Sequence, residues 1–392
     1  MKRVTACAVL VCATLPGLAV AGPLRLRAEQ LRAALERVRP GEVIEVDGGR
    51  LTGPLVVSVP VVLRGINNPV LDGQGRGTIL TLGAPHISMS GFTVAHTGNS
   101  LLSDDAAILV TADDVSIQHV TIEDALHGIY VLRASGFQLR SNRIRGKPAI
   151  NDENRGNGIH LHKASDGIIE GNDIADVRDG VYFNYADRNV IRHNHAARLR
   201  YGLHYMWSNF NRFSGNTFTR NIVAGNDVAV VEYGNSEANL FTCNAFVGNG
   251  TELREVGQES ASRWDDGHRG NYWSAYDGWD LDGDGLGDRP YRLQDLFEYL
   301  EGERPVLRLL ARGPAAAAVQ RAEEAFPVLR QRQTADHRPL MRMPPELCEL
   351  AAPAPESTLP ERGPLAVVSA LVLVAGAAAI EAGRRGQKRR QP

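Results

Sequence analysis

The chain is 392 residues long, with 40 glycines, 6% aromatic residues and a formal charge of −2. That length is ample for a large core, but sparse aromatics and abundant glycine suit a solenoid of small aliphatic side chains better than a helical globule. Near-neutrality, with no basic stripe interleaved with aromatics, gives no reason to expect a nucleic-acid partner.

Residues 1–21 read as a secretory signal: Lys2 and Arg3, an apolar run, then Ala19-Val20-Ala21 as a small-x-small cleavage site. Cys7 and Cys12 fall in this leader; Cys243 and Cys348 remain, either as a disulfide or as two thiols. Ala28 to Val38 predicts a short amphipathic helix with Leu31, Ala34, Leu35 and Val38 on one face, placed to cap a solenoid end. From Val43 onward short strands bounded by Gly, Asn or Asp follow one another, with no amphipathic helix between them.

The repeat is clearest from His127 to Ser208, in HGIYV, GNGIHL, DGVYF and YGLHYMW. Ile159, Val181 and Leu203 are spaced by 22 residues, and so are Asn172, Asn194 and Asn216. Two phased series with one period mean an internal repeat. Three short strands and three turns in that length make one coil of a parallel β-helix, with equivalent residues about 4.8 Å apart. Ile129, Ile159, Val181 and Leu203 then form one apolar inner column, and Val131, Leu161, Phe183 and Tyr205 the next. The asparagines are expected to stack at a turn, tolerating positive φ. Gly146 to Gly156 is an insertion that lengthens one interval.

Beyond a closing segment with tryptophans at 269–291, Leu293 to Leu310 and Pro314 to Phe326 read as helical pieces, and Gln331 to Pro364 as a Pro-rich linker. The stretch 363–383 has a single charge, Glu381, and at about 1.5 Å per residue reaches across roughly 30 Å of hydrocarbon. Five basic residues from Arg384 to Arg390 follow, which places the C-terminus inside and the body outside; a buried hairpin helix is the other reading. The expected organisation is therefore all-β: a signal peptide (1–21), a right-handed parallel β-helix (22–290), a helical and linker segment (291–362), one transmembrane helix (363–383) and a basic cytoplasmic tail (384–392).

Outward positions stack as inward ones do. If Ile159, Val181 and Leu203 point in, then His160, Tyr182 and His204 point out in one column, and His162, Asn184 and Met206 in the next. Imidazole and thioether groups converging on one ion favour copper, above all Cu(I), over calcium or magnesium; a solvated polar face is the plainer alternative. His337, Met341, Met343 and Cys348 form a second, looser soft set that suits transient Cu(I) handling or simple packing of the linker. Asp280, Asp282, Asp284 and Asp288 resemble a calcium loop, but Tyr291 occupies the position where a bidentate Glu is required. Polysaccharide chemistry needs several convergent carboxylates, whereas Asp104-Asp105 and Asp265-Asp266 are adjacent pairs that point apart on a strand.

These segments together resemble the NosD family. The likeness lies in PGEVIEV (40–46), LDGQGRGTIL (71–80), RGNGIHL (155–161), RDGVYF (178–183), LRYGLHYMWS (199–208), the segment 270–292, ERPVLRLLARGPA (303–315) and DHRPLM (336–341). It implies a periplasmic β-helix that is not an enzyme, partnered by an ABC transporter ATPase and permease and by a copper chaperone lipoprotein. Such a protein presents copper during maturation of nitrous oxide reductase. The resemblance carries over His204 and Met206, within RYGLHYM, as copper candidates. Two other readings stand beside it: a carbohydrate-active β-helix enzyme (lyase, hydrolase or epimerase), and a metal-free adaptor docking the permease.

Overall fold

Strand formation follows the alternation. In a computed structural model, residues 22–205, 217–219, 222–233, 237–257, 261–294, 300, 305–310, 313–326 and 334–344 are described. Their short strands join three parallel sheets of eleven, ten and nine strands. One coil runs from Ser116–Gln118 in the first sheet through Thr121–Ala125 in the second to His127–Leu132 in the third, and then begins again. The expected parallel β-solenoid is the fold.

The inner columns stand where the period puts them. Ile129 pairs with Ile159, Ile159 with Val181 and Val181 with Leu203, and all four are buried. One position along, Phe183 and Tyr205 stack with ring centroids 4.5 Å apart. Burying such a side chain contributes about 1.5–3 kcal/mol, against a backbone ordering cost of about 1–2 kcal/mol per residue. A lone coil has too few inward residues to prevail; stacking supplies the second apolar face.

Buried asparagines tie the turns between the first two sheets. Asn142 donates from its main-chain N–H and from Nδ2 to Oδ1 of Asn172, both at 3.0 Å. Asn172 does the same to Asn194 at 2.9 Å. Each amide also donates to a carbonyl one coil back, Asn172 to Leu139 at 2.9 Å and Asn194 to Ile169 at 2.8 Å. The positive φ expected of the asparagines belongs instead to the residue before them: Ser141, Gly171, His193 and Cys243. The preceding residue takes the left-handed turn, which leaves the amide in extended backbone and aimed along the stack. Asn216 lies outside the described residues.

Both ends of the stack differ from expectation. The amino-terminal helix is shorter: a 3-10 turn at Ala28–Gln30 runs into an α-helix at Leu31–Leu35, with Ala28 and Leu31 buried. A strand, Leu24–Leu26, precedes it and pairs with Val43–Asp47. Farther along, a 3-10 helix spans Pro305–Leu310 and an α-helix Pro314–Ala325.

Residues 334–344, read from sequence as linker, are part of the folded body. Ala335–Asp336 pairs antiparallel with Tyr291–Arg292. Asp336, fully buried, accepts from the main-chain N–H of Asn271 at 2.6 Å and from Trp273 Nε1 at 2.9 Å. The expected signal peptide and the expected span at 363–383 lie outside the described residues; among those described, no helix is long and apolar enough to cross a membrane.

Candidate metal centre

Strict alternation fails at one point, the corner entering the third sheet. A Cβ on Gly128 or Gly158 would strike the core side chains Ile144 or Ile174, so these glycines face inward just as the next residues, Ile129 and Ile159, do. The residue before each glycine is thereby turned outward. His127, Asn157, Asp179 and Tyr201 form a column beside the expected one.

The expected column is present in register: Leu109, Tyr130, His160, Tyr182, His204 and Val231. Its rings cover one another. Tyr130 stacks on His160 at 4.3 Å, Tyr182 meets His160 edge-on at 4.7 Å, and Tyr182 meets His204 at 5.0 Å. His160 is only 7% exposed although it faces away from the core.

Asp104, His127 and His160 offer ligand atoms that all lie within 4.8 Å of one another. Asp104 comes from the loop before Ala106–Val110. Its neighbour Asp105 turns away to accept from Ser100 N and Ser103 Oγ at 3.0 and 2.9 Å, holding that loop. Burial, and then the charge of Asp105, push the Asp104 carboxyl up from its ordinary value.

Both ring nitrogens of His160 are buried without a hydrogen-bond partner among the described residues. An unmet buried polar atom costs about 1–3 kcal/mol, so such an atom calls for an explanation. Burial, then the neighbouring His127, His162 and Arg178, lower its pKa to about 2. The ring is therefore neutral at any ordinary pH, which is the metal-binding form.

His127 differs in its proton. The main-chain N–H of Asn157 donates to His127 Nδ1 at 3.0 Å, so that nitrogen holds a lone pair and Nε2 carries the hydrogen in the neutral ring. Nε2 lies 3.7 Å from Asp104 Oδ1. His127 ligates through Nε2 only by giving up the Asn157 bond. Burial, then Arg178, bring its pKa down to about 4. His204 shows the reverse arrangement: Nδ1 faces Asp179 Oδ2 at 3.0 Å, and Nε2 is buried without a partner among the described residues.

His160 and His204 are two rungs apart with the Tyr182 ring between them, so one ion cannot bridge them. His162 stands in the next column opposite Asn184, with Tyr185 6.0 Å away, and does not join Asp104. Met206 lies outside the described residues, as does Cys348. Of the looser soft set, His337 bonds Asp265 at 3.1 Å, Met341 donates its main-chain N–H to Gly285 O, and Met343 packs against Ala245. Cys243 is a free thiol at a turn.

Asp280, Asp282 and Asp284 do gather, and their oxygens accept from the main-chain N–H groups of Gly283, Gly285, Asp284 and Leu286. Asp288 accepts from Leu281 N instead. These bonds build a turn. Sequence reasoning missed Asp104, His127 and Asp179 as site residues; the signal that finds the last two is the glycine corner, where the outward parity restarts.

A family model described as "Periplasmic copper-binding protein (NosD)" matches residues 74–278. A Pseudomonas aeruginosa protein named "Probable ABC transporter binding protein NosD" is 31% identical over 417 residues, covering 83% of this chain and 96% of that one. A Stutzerimonas stutzeri protein of the same name is 29% identical over 377 residues, covering 76% and 86%. Among solved structures, a Yersinia enterocolitica family 28 exopolygalacturonase matches 64% of this chain and 60% of its own, with a TM-score of 0.45 and 11% identity.

Proposed function

Because the chain belongs to the NosD family of periplasmic copper-binding proteins, we propose that it takes copper as cargo at His160 and passes it on during maturation of the nitrous oxide reductase copper centres. The observation that carries this reading is a buried, neutral imidazole whose nitrogens have no hydrogen-bond partner among the described residues, beside the Asp104 carboxylate and the His127 ring. Imidazole suits copper well, and a site walled by tyrosine rings with few carboxylates favours the singly charged Cu(I). Tyr130 serves as wall and not as phenolate ligand, because burial pushes its pKa to about 12.

Relatives named as ABC transporter binding proteins support an ABC transporter, ATPase and permease, as partner. A copper chaperone lipoprotein as donor, the reductase as acceptor and a tether through 363–383 complete the proposal. Calcium is no part of this copper reading; the gathered Asp280, Asp282 and Asp284 belong to a separate turn.

Anaerobic titration of the reduced, exported chain with Cu(I) against a chromophoric chelator tests the reading. Tight binding is expected, weakened more than about tenfold in His160→Ala, as loss of a ligand demands. A wild-type chain that leaves all copper on the chelator, or a His160→Ala chain that binds as before, overturns it.

A further inference from the structure

We propose that the amino-terminal half of the third sheet seats against an anionic lipid surface, with the loop that carries Leu101 and Leu102 entering it. Both leucines are exposed, Leu102 at 98%. Their loop is nevertheless held in one shape. Asp105 accepts from Ser100 N and Ser103 Oγ at 3.0 and 2.9 Å, and its own N–H donates to Ser100 O at 3.2 Å. Two leucines fixed in water on such a tip bury nothing within the described chain, and gain by entering an apolar phase. Val56, also exposed, extends the apolar ground on the edge strand of the same sheet, Leu55–Val57, with Thr81 and half-buried Leu109 next in register.

Charge selects the kind of apolar phase. At the start of the loop Gly98 N donates to Gly77 O at 3.0 Å, which brings Arg76 to the foot of the tip. Arg133 and Lys163 occupy equivalent left-handed turn positions on consecutive coils at the far rim of the sheet. All three cations are exposed and make no ion pair among the described residues. The carboxylates of the loop turn back instead: Asp105 is buried, and Asp104 Oδ1 lies 3.7 Å from His127 Nε2. Between the rims the face is filled by the packed, buried rings of Tyr130, His160 and Tyr182. A protruding leucine pair with cations set apart from it suits a deformable negative bilayer, where a protein partner needs one contiguous patch. Leu281 is the contrasting case, 81% exposed but set among Asp280, Asp282 and Asp284, whose charge anionic lipid repels. Seating by this face turns His160 toward the membrane that holds the transporter proposed as partner. The contact itself does not depend on whether His160 takes copper.

Hydrogen–deuterium exchange of the full chain tests this, in nanodiscs of phosphatidylethanolamine with phosphatidylglycerol and in nanodiscs of phosphatidylcholine. Residues 99–104 should exchange about tenfold more slowly in the anionic discs than in the neutral ones. Leu102→Asp should abolish that difference, and so should Arg133→Glu combined with Lys163→Glu, while Leu281→Asp leaves it intact. All four positions are exposed, and unchanged exchange of the inner strands shows that the coils of each variant are folded. Equal exchange of 99–104 in the two kinds of disc overturns the proposal, as does a difference that survives either set of substitutions. Protection that follows protein concentration and not lipid charge assigns the tip to a protein partner and overturns it too.

Discussion

The main-chain N–H of Asn157 donates to Nδ1 of His127, one coil apart, at 3.0 Å. That bond makes His127 first a structural acceptor. His127→Ala should leave a buried N–H unmet and cost about 1–3 kcal/mol, read as a lower denaturant midpoint. Cu(I) affinity should fall less than in His160→Ala. His127→Gln, which returns an acceptor, should recover part of the stability.

Asn172 links three coils through its side chain. Asn172→Ala removes the acceptor of the Asn142 main-chain N–H and the side-chain bonds to Leu139 O and Asn194 Oδ1, all in the interior. The expected loss is about 2–4 kcal/mol, since each orphaned group costs about 1–3. A chemical denaturation curve for the exported chain checks it; a change within 0.5 kcal/mol, roughly the surface-substitution range, contradicts the role.

Glu252 gives the stack a pH dependence. Burial raises its pKa from the ordinary 4.5 to about 7, only partly opposed by the Asn249 amide that donates to Oε2 at 3.0 Å. The folded state therefore holds a proton that the unfolded state has lost between those two values. Stability from this group is fully present below pH 4.5 and is lost as pH rises toward 7, by about 3 kcal/mol. Glu252→Gln should flatten that part of the stability–pH curve and make the protein more stable than wild type at pH 8.

Asp336 gathers amide N–H groups from Asn271 and Arg338 and the indole N–H of Trp273 in a dry site. Asp336→Ala should cost about 3 kcal/mol or more, several donors losing their acceptor at once. Limited proteolysis should then cut near residue 334 much faster than in wild type. Equal protection in the variant would show that the segment is held by other contacts.

Much of this architecture was legible because it is periodic. The 22-residue spacing of Ile159, Val181 and Leu203 was enough to assign the inner columns and, by parity, the outward row of His160, Tyr182 and His204. What escaped were features that break the period. Gly128 and Gly158 insert one extra inward position at the corner, which hides the outward setting of His127 and Asp179 from an alternation rule. Asp104 reaches its neighbours from a loop whose conformation is held by Asp105, and no spacing encodes that. The Met and Cys pattern at 341–348 suggested metal chemistry. Its neighbour Asp336 was the informative residue, but its partners Asn271 and Trp273 lie more than sixty positions back, beyond any local window.

That long return has a consequence for how the chain is made. Coils need only their immediate predecessors, so a polypeptide leaving a translocon amino-terminus first can pile them up as they emerge. The last one stays unfinished, its Trp273 indole and Asn271 amide waiting, until residue 336 has also come through. A product cut short upstream of that point would expose a raw strand border that neighbouring molecules can extend, which makes the carboxylate at 336 a checkpoint separating completed molecules from those prone to clump.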